Sequence, residues 1–358
     1  MKNKIYFLSL ISVMLFSCVN DDDAVSNEIS ISQANDDSFE INKNTSTVID
    51  ILSNDVFENE AEVIYFDTET ELGGKIIVDE NGEYTYTPAI DYTGDDVFTY
   101  TICDNESIRN CNTATVSITV VEAEIIVTEE IEFNIPTDLS EYYDGVSFSS
   151  EPDVTLQILE RLTDESQVNY LTYGNRHDYL YNADEDLNNT ANVVLMYTGE
   201  SRDEREYSSG NNTFETQSFN TEHVYPRSFL DEEQWENDLH NLRSCDTTVN
   251  SQRSNYAFTD GEGDYSLING NSWYPGDEWK GDVARIVLYL NMYYGESVAD
   301  MGGLDLFLQW NVEDPVSDFE VQRNNIIEDA QGNRNPFIDN PYLATLIWGG
   351  NDAENTWE

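Results

Sequence analysis

The sequence predicts a multidomain chain in which an all-β sandwich is followed by an α+β domain. A chain of 358 residues is longer than one small domain, and its 39% of hydrophobic residues can supply two cores. Short strand-like runs between turn residues fill residues 31–121, a spacing typical of a β-sandwich. From residue 151 onward, segments with helical spacing occur beside short apolar runs, which indicates a mixed second domain.

The first 18 residues are predicted to be a targeting segment. Lys2 and Lys4 precede an apolar run at 5–16 that is too short for a stable transmembrane helix. The run ends at Ser17 and Cys18, a pair that resembles a bacterial lipobox, in which the cysteine carries the lipid. We therefore expect lipidation at Cys18, with an ordinary signal peptide as the alternative.

The segment after this cysteine bears on localisation. Residues 19–30 are polar and are interpreted as a tether, and their acidic run at 21–23 resembles a surface-export signal of bacterial lipoproteins. The sequence thus predicts an outer-membrane lipoprotein exposed at the cell surface, which contacts the membrane only through its lipid anchor. A periplasmic location and secretion remain alternatives.

The first domain, residues 31–121, is built from alternating strand-like runs. Asn81 and Gly82 form a strong hairpin signal between two of them. The whole pattern resembles the bacterial Ig-like, cadherin-like modules of surface proteins, which implies a spacer or a weak binding module. The runs that carry the prediction are 47–52, 75–78, 84–87, 98–102 and 113–120.

Two further features of this domain concern its stability. Cys103 and Cys111 lie between two strand-like runs, and in an exported protein they are expected to close a hairpin as a disulfide. Acidic pairs at 36–37 and 95–96 leave two interpretations open, which are Ca²⁺ ligands and solvated turn residues.

The remainder of the chain is predicted to be a linker over 122–150 and a second domain over 151–358. Its strongest element is the apolar segment 283–293, which reads as a buried helix. The other predicted elements are a helix over 154–162, strands over 193–197 and 219–224, and a helix beginning at or including 250–256.

The charge is strongly acidic, with 71 Asp and Glu against 16 Lys and Arg and a formal net charge of −55. An acidic surface of this kind keeps an exported protein soluble. It also argues against a protein that coats DNA, because non-specific affinity for DNA comes from phosphate neutralisation by basic residues. Ten of the eleven basic residues after residue 150 are arginines, which bind phosphate in bidentate fashion.

Residues with catalytic chemistry concentrate in one window of the second domain. The chain has three histidines, His177, His223 and His240, and the last two lie in this window. Glu222 precedes His223 at a predicted strand end, and an amide- and guanidinium-rich segment follows at 250–255. These residues can supply a general base, oxygen ligands for a hard metal ion and a cation for phosphate, which a one-metal phosphodiesterase requires.

Several ordered blocks in this domain resemble the bacterial endonuclease I group of the ββα-metal, or His-Me finger, nucleases. Five blocks over about 200 residues are far more specific than one short motif. They imply an α+β nuclease domain with a ββα-metal core. The core matches are 222–226, 239–242 and 250–255, the later ones are 280–286 and 331–338, and 194–197 also fits upstream.

The resemblance implies a role for each central residue. His223 matches the general base that deprotonates the attacking water, and Glu222 and Asn250 match the protein ligands of one divalent ion. Mg²⁺ is the expected ion, with Mn²⁺ or Ca²⁺ as alternatives, because carboxylate and amide oxygens suit hard cations. The implied activity is sequence-non-specific cleavage of DNA, with RNA as a further candidate substrate, to 5′-phosphate ends.

The cation that holds the phosphate is less constrained, with Arg227, Arg253 and Arg285 as candidates. Arg253 follows Asn250 by three residues, so on a helix the two share a face, and it is favoured. Arg285 lies in an apolar helix, where an ion pair with Asp282 and a phosphate contact are both open. Periplasmic members carry a phosphate-binding arginine in the segment that corresponds to 228–238, which here has no Arg or Lys.

The sequence leaves functions other than a nuclease to consider. A surface adhesion or glycan-binding lipoprotein with an inactive nuclease-like domain is the alternative, and the presence of Glu222, His223 and Asn250 favours the enzyme. A zinc metalloprotease is disfavoured because the chain has no His-Glu-x-x-His motif. The unpaired Cys245 is expected to be a buried apolar residue rather than a nucleophile.

Overall fold

A computed structural model describes residues 32–58, 60–105, 110–172, 174–230 and 235–358, apart from the side chain of Arg176. The predicted targeting segment, Cys18 and the tether lie outside these residues. The chain divides into two compact units, Met1–Glu124 and Ile125–Glu358. Each unit is described by itself.

The first unit is an Ig-like sandwich of two sheets, as predicted. One sheet has the strand order β1-β7-β6-β3 and the other β2-β5-β4, with β1 and β7 parallel and the other pairs antiparallel. Alternate residues of the long strands are buried, as expected for strands with one face on a core. The strands are β1 (Asp37–Asn42), β2 (Thr47–Ile49), β3 (Glu62–Phe66), β4 (Lys75–Val78), β5 (Tyr84–Thr87), β6 (Gly94–Cys103) and β7 (Cys111–Val121).

The disulfide predicted in this unit is confirmed, and it joins Cys103 at the end of β6 to Cys111 at the start of β7. The acids considered as Ca²⁺ ligands have protein partners instead. The carboxylate of Asp96 is buried and accepts hydrogen bonds from Thr70 and Tyr86. The carboxylates at 36, 37 and 95 also accept hydrogen bonds from within the unit.

The linker predicted over 122–150 is wrong from residue 125 onward, because this segment belongs to the second unit. Tyr143 and Phe148 are buried in its core and pack against Trp357 near the end of the chain. A short strand pair, β8 (Glu130–Ile131) with β9 (Phe148–Ser149), closes the segment. Aromatic residues scattered through an acidic stretch carry no periodic signal, so only the contact with a distant tryptophan shows that they are core.

The second unit surrounds one buried helix, α4 (Lys280–Tyr294), which packs against α6 and α1. The predicted apolar segment 283–293 lies within it. No helix among the described residues combines the length and apolarity needed to cross a membrane. The remaining helices are α1 (Pro152–Ser166), α2 (Arg176–Ala183), α3 (Thr247–Arg253), α5 (Val298–Met301), α6 (Leu304–Glu313), α7 (Asp318–Gln331), α8 (Pro336–Asp339) and α9 (Tyr342–Trp348).

The strands of this unit are short and form small sheets. The pair that positions the candidate site is β13 (Phe219–His223) with β14 (Leu242–Asp246), which are antiparallel and continue directly into α3. The other strands are β10 (Glu185–Asp186), β11 (Asn189–Val194), β12 (Ser201–Asp203), β15 (Ala257–Phe258), β16 (Ser266–Ile268) and β17 (Ser272–Tyr274).

Candidate active site

The candidate site is formed by a strand–strand–helix unit made of β13, β14 and α3. Glu222 lies opposite Arg243 in the strand register, and His223 ends β13 opposite Leu242. Asp246 caps α3 by accepting hydrogen bonds from the backbone amides of the first turn. α3 packs against β13, and the side chain of Asn250 in the helix reaches the backbone of Thr221 in the strand.

The residues brought together line an open cleft of about 370 Å³. Glu222, His223, Arg227 and Asn250 all line it, although they come from a strand, a loop and a helix. The other lining residues are Thr221, Pro226, Ser228, Ser254 and Asn255. The cleft therefore contains the predicted base, both predicted metal ligands and one of the three candidate arginines.

Glu222 is almost fully buried and is held by two side chains. The hydroxyl of Tyr197 donates to its Oε1 over 2.9 Å, and Nε of Arg253 lies 3.4 Å from the same oxygen. Burial raises the pKa of Glu222 to about 7, while the charge of Arg253 and the hydrogen bond from Tyr197 act in the opposite direction. The sequence assigned no role to Tyr197, whose only signal was its place in a matching block.

Two hydrogen bonds donated by its side-chain amide hold Asn250 in place. Its Nδ2 donates to the backbone carbonyl of Thr221 over 3.1 Å and to Oδ1 of Asn220 over 2.9 Å. Both acceptors need a donor, so the assignment of nitrogen and oxygen in this amide is consistent. Oδ1 of Asn250 and Oε2 of Glu222 receive no hydrogen bond from the described residues. A carboxylate oxygen and an amide oxygen in one cleft fit a hard divalent cation.

His223 is half-buried, and its ring contacts a backbone carbonyl. Nε2 lies 2.9 Å from the carbonyl oxygen of Glu236. A carbonyl only accepts, so the neutral ring carries its hydrogen on Nε2, and Nδ1 holds the lone pair. The contact with Glu236 thus favours the tautomer in which Nδ1 can act as a base.

Of the three candidate arginines, one lines the cleft and the other two are buried. The side chain of Arg227 is 60% exposed and forms an ion pair with Glu236, with Nε 2.7 Å from Oε2. Arg253 is fully buried, donates to the carbonyls of Val224 and Tyr256, and lies over the ring of Phe258. The structure thus does not place Arg253, the favoured phosphate contact, in the cleft, because its guanidinium is buried against the carbonyl of Val224.

Arg285 is also buried, and it lies outside the cleft. Its guanidinium forms a bidentate pair with Glu320 of α7 at 2.7 and 2.8 Å, and it donates to the carbonyl of Asp314. Asp282, the partner proposed from the sequence, instead accepts from Arg243 over 2.8 Å. The structure therefore does not bring Arg285, a predicted catalytic candidate, to the cleft, and a partner from another helix satisfies its charge.

Three other residues that lie between β13 and α3 in the sequence do not line the cleft. Asn241 bonds to both the amide and the carbonyl of Tyr225, which fixes the loop after β13. His240 is buried against the ring of Tyr289, and burial lowers its pKa to about 4. Cys245 is buried, and burial raises its pKa well above the usual thiol value, as expected for a packing residue.

Comparison with known proteins finds two matching families. Residues 154–342 match the model of the Endonuclease I family, and residues 27–119 match that of a bacterial Ig domain. An extracellular ribonuclease of Bacillus amyloliquefaciens is 39% identical over 203 residues, which cover 50% of this chain and 68% of the relative. An extracellular ribonuclease of Bacillus subtilis (strain 168) is 36% identical over 236 residues, or 59% of this chain and 79% of the relative.

An extracellular deoxyribonuclease of Aeromonas hydrophila is also similar, with 34% identity over 116 residues. That alignment covers 30% of this chain and 51% of the relative. Relatives named for action on RNA and on DNA thus both resemble this chain.

Proposed function

The chain belongs to the endonuclease I family and is a nuclease, and we propose that its second unit is a metal-dependent, sequence-non-specific endonuclease. The observation that carries the proposal is the convergence of Glu222, His223, Asn250 and Arg227 on one cleft. Its substrates would be DNA and RNA, and its products would carry 5′-phosphate and 3′-hydroxyl ends.

Each residue of the cleft has a distinct role in this proposal. His223 accepts a proton from the attacking water at Nδ1, because Nε2 is held as a donor by the carbonyl of Glu236. Glu222 and Asn250 hold one divalent ion through the two oxygens that the protein leaves available. The bound ion would supply positive charge that stabilises the phosphorane-like transition state and the leaving 3′ oxygen.

Arg227 is proposed to hold the substrate phosphate. Among the three arginines considered, it is the one that lines the cleft, and its side chain is 60% exposed. Its pairing with Glu236 keeps it beside the base, since the same residue contacts His223 through its carbonyl. Arg253 instead acts as a positioning residue for Glu222.

The location proposed for this nuclease is the outer membrane, with a lipid on Cys18 and exposure at the cell surface. The names of the relatives, which include extracellular enzymes, support export. The Ig-like unit would act as a spacer or weak binding module. The net charge of −55 makes long-range attraction of nucleic acid weak, so contact in the cleft must supply most of the affinity.

The proposal is tested by incubating the full chain with supercoiled plasmid and with single-stranded RNA, with Mg²⁺ or with EDTA. We expect cleavage that requires the ion and falls by about 10² to 10⁴ in His223→Ala, the usual contribution of a general base. His177→Ala is the matched control, since this half-buried histidine lies outside the cleft. Equal cleavage by His223→Ala would exclude this base, and a lack of cleavage under every condition would favour an inactive domain.

A further inference from the structure

A second cavity of about 400 Å³ lies in the second unit and shares no residue with the catalytic cleft. It is enclosed by the turn at 197–199, the loop at 263–265, and the first residues of α4 and α7. Cavities of this volume accept small-molecule ligands in proteins. None of the four cleft residues with a role in the proposed nuclease mechanism lines this cavity, although Tyr197, which holds Glu222, does.

The lining combines aromatic rings with carboxylates. Tyr197, Trp279 and Phe319 contribute aromatic surface, and Asp264 and Glu278 are exposed carboxylates. The lining also includes the carboxylates at 186, 277 and 282, and it includes no Lys, Arg or His from the described part of the chain. Asp282 is paired with Arg243 behind the lining, which leaves four lining carboxylates without an ion pair to a described cation. Their charge repels phosphate groups, so nucleotides and the nucleic acid substrate do not fit the cavity.

A buried carboxylate lies within the lining. Asp282 is only 5% exposed, and its Oδ2 accepts from Arg243 over 2.8 Å. No described residue hydrogen-bonds to its Oδ1. The guanidinium of Arg243 also lies 5.2 Å from the ring centres of both Trp279 and Phe319, so these rings are held in place. The cavity is therefore built on a packed support rather than on loops alone.

The spacing of the carboxylates indicates whether the cavity suits a metal ion or an organic cation. Among the described residues, no three His, Cys, Asp or Glu side chains lie close enough together to hold a metal ion. Metal coordination requires oxygens within about 2.0–2.6 Å of the ion, so these separated carboxylates do not form a metal site. Separated negative charges around aromatic rings suit an organic cation with several charged groups and apolar methylenes between them.

We propose that this cavity binds an aliphatic di- or polyamine. Ammonium groups contact the exposed carboxylates of Asp264 and Glu278, and methylene groups pack on Trp279 and Phe319. The inference goes beyond the nuclease function and does not rest on it. Because Tyr197 lines the cavity and also donates to Glu222, an occupant contacts a residue that positions the catalytic carboxylate.

The test is a calorimetric titration of the full chain with spermidine in the absence of divalent ions. Tryptophan fluorescence is followed in parallel, because all six tryptophans lie in the second unit and one lines the cavity. The probes for comparison are an uncharged diol of equal length, adenosine monophosphate and calcium chloride. Asp264→Asn combined with Glu278→Gln removes two exposed carboxylates of the cavity, and Phe319→Leu removes one ring.

A strongly acidic protein attracts polyamines everywhere, so the control variant must have the same net charge. Glu165→Gln combined with Asp305→Asn removes two exposed carboxylates from α1 and α6, outside the cavity. We expect spermidine to bind and the cavity double variant to weaken binding about tenfold, while the control pair changes it less than about twofold. Phe319→Leu weakens binding while the net charge stays constant.

Three results would overturn the proposal. The first is no binding of spermidine, and the second is equal weakening by the two double variants, which would indicate general attraction to the acidic coat. The third is binding of calcium or of the nucleotide that depends on Asp264 and Glu278 when spermidine binding does not. Loss of nuclease activity affects none of these readouts, so the two proposals fail separately.

Discussion

The hydroxyl of Tyr197 donates a hydrogen bond of 2.9 Å to Oε1 of Glu222, which is proposed to bind the metal ion. Tyr197 has a φ of +70°, a left-handed conformation that residues other than glycine seldom adopt. Its ring packs edge-on against Trp273, which holds the phenol in the core. Together with Arg253 it fixes one carboxylate oxygen of Glu222 and leaves the other for a ligand.

Tyr197→Phe removes this hydrogen bond and keeps the ring. A hydrogen bond to a charged group contributes about 1.5–3 kcal/mol, so we expect the Mg²⁺ concentration for half-maximal cleavage to rise at least about tenfold. Titration of cleavage rate against Mg²⁺ measures the change, with Tyr179→Phe on α2 as the control. An unchanged Mg²⁺ requirement would show that the hydroxyl does not position Glu222 for the ion.

Arg227→Ala tests the phosphate contact. Removal of a cleft cation weakens ground-state and transition-state binding of the phosphate, and we expect kcat/KM to fall by about 10- to 100-fold with less salt dependence. Arg205→Ala is the matched control, because its side chain is 65% exposed and pairs with Asp203 outside the cleft. Similar losses in both variants would indicate a general charge effect instead of a specific contact.

Arg285→Met separates a structural role from a catalytic one. The change leaves Glu320 buried without its bidentate partner, and breaking such a pair costs about 3–5 kcal/mol of unfolding free energy. Urea unfolding followed by tryptophan fluorescence measures this loss in the second unit. Addition of Glu320→Gln removes the unpaired charge and should recover part of the stability. Folded Arg285→Met is expected to cleave at the normal rate, and a large loss of kcat would restore a catalytic role.

His240 contributes to the pH dependence of stability. Burial lowers its pKa from the usual histidine value of about 6.5 to about 4 in the folded protein, so the unfolded chain binds the proton more tightly. The stabilisation is complete above the unfolded pKa and is lost as the pH falls toward the folded pKa. On acidification from about pH 8 to about pH 5, protonation of His240 in the unfolded chain should lower the free energy of unfolding by about 2 kcal/mol.

His240→Gln isolates this contribution because glutamine does not titrate. Urea unfolding of the two proteins at several pH values measures the difference. We expect the variant to lose less stability on acidification than the wild-type chain, whatever its stability near neutral pH. Parallel curves would mean that His240 is not buried as a neutral ring.

Much of the architecture was predictable because its signals are local. Alternation in the runs at 98–102 and 113–120 predicted strands β6 and β7, and the two cysteines at their ends predicted the disulfide. The apolar segment 283–293 predicted the central helix α4. The pairing of Glu222 with His223 at a strand end indicated where a site would form, because side chains from a strand and the following loop meet there.

The sequence by itself determined the fold class, the family resemblance and the choice of Glu222, His223 and Asn250 as candidate site residues, since these depend on residue types and their order along the chain. Only the tertiary structure decided the roles of the charged residues around them. Arg253 and Arg285 differ from Arg227 in burial, which depends on Val224, Glu320 and other partners far away in sequence. Likewise, the buried position of residues 125–150 depends on contacts with the end of the chain, and no local periodicity encodes such contacts.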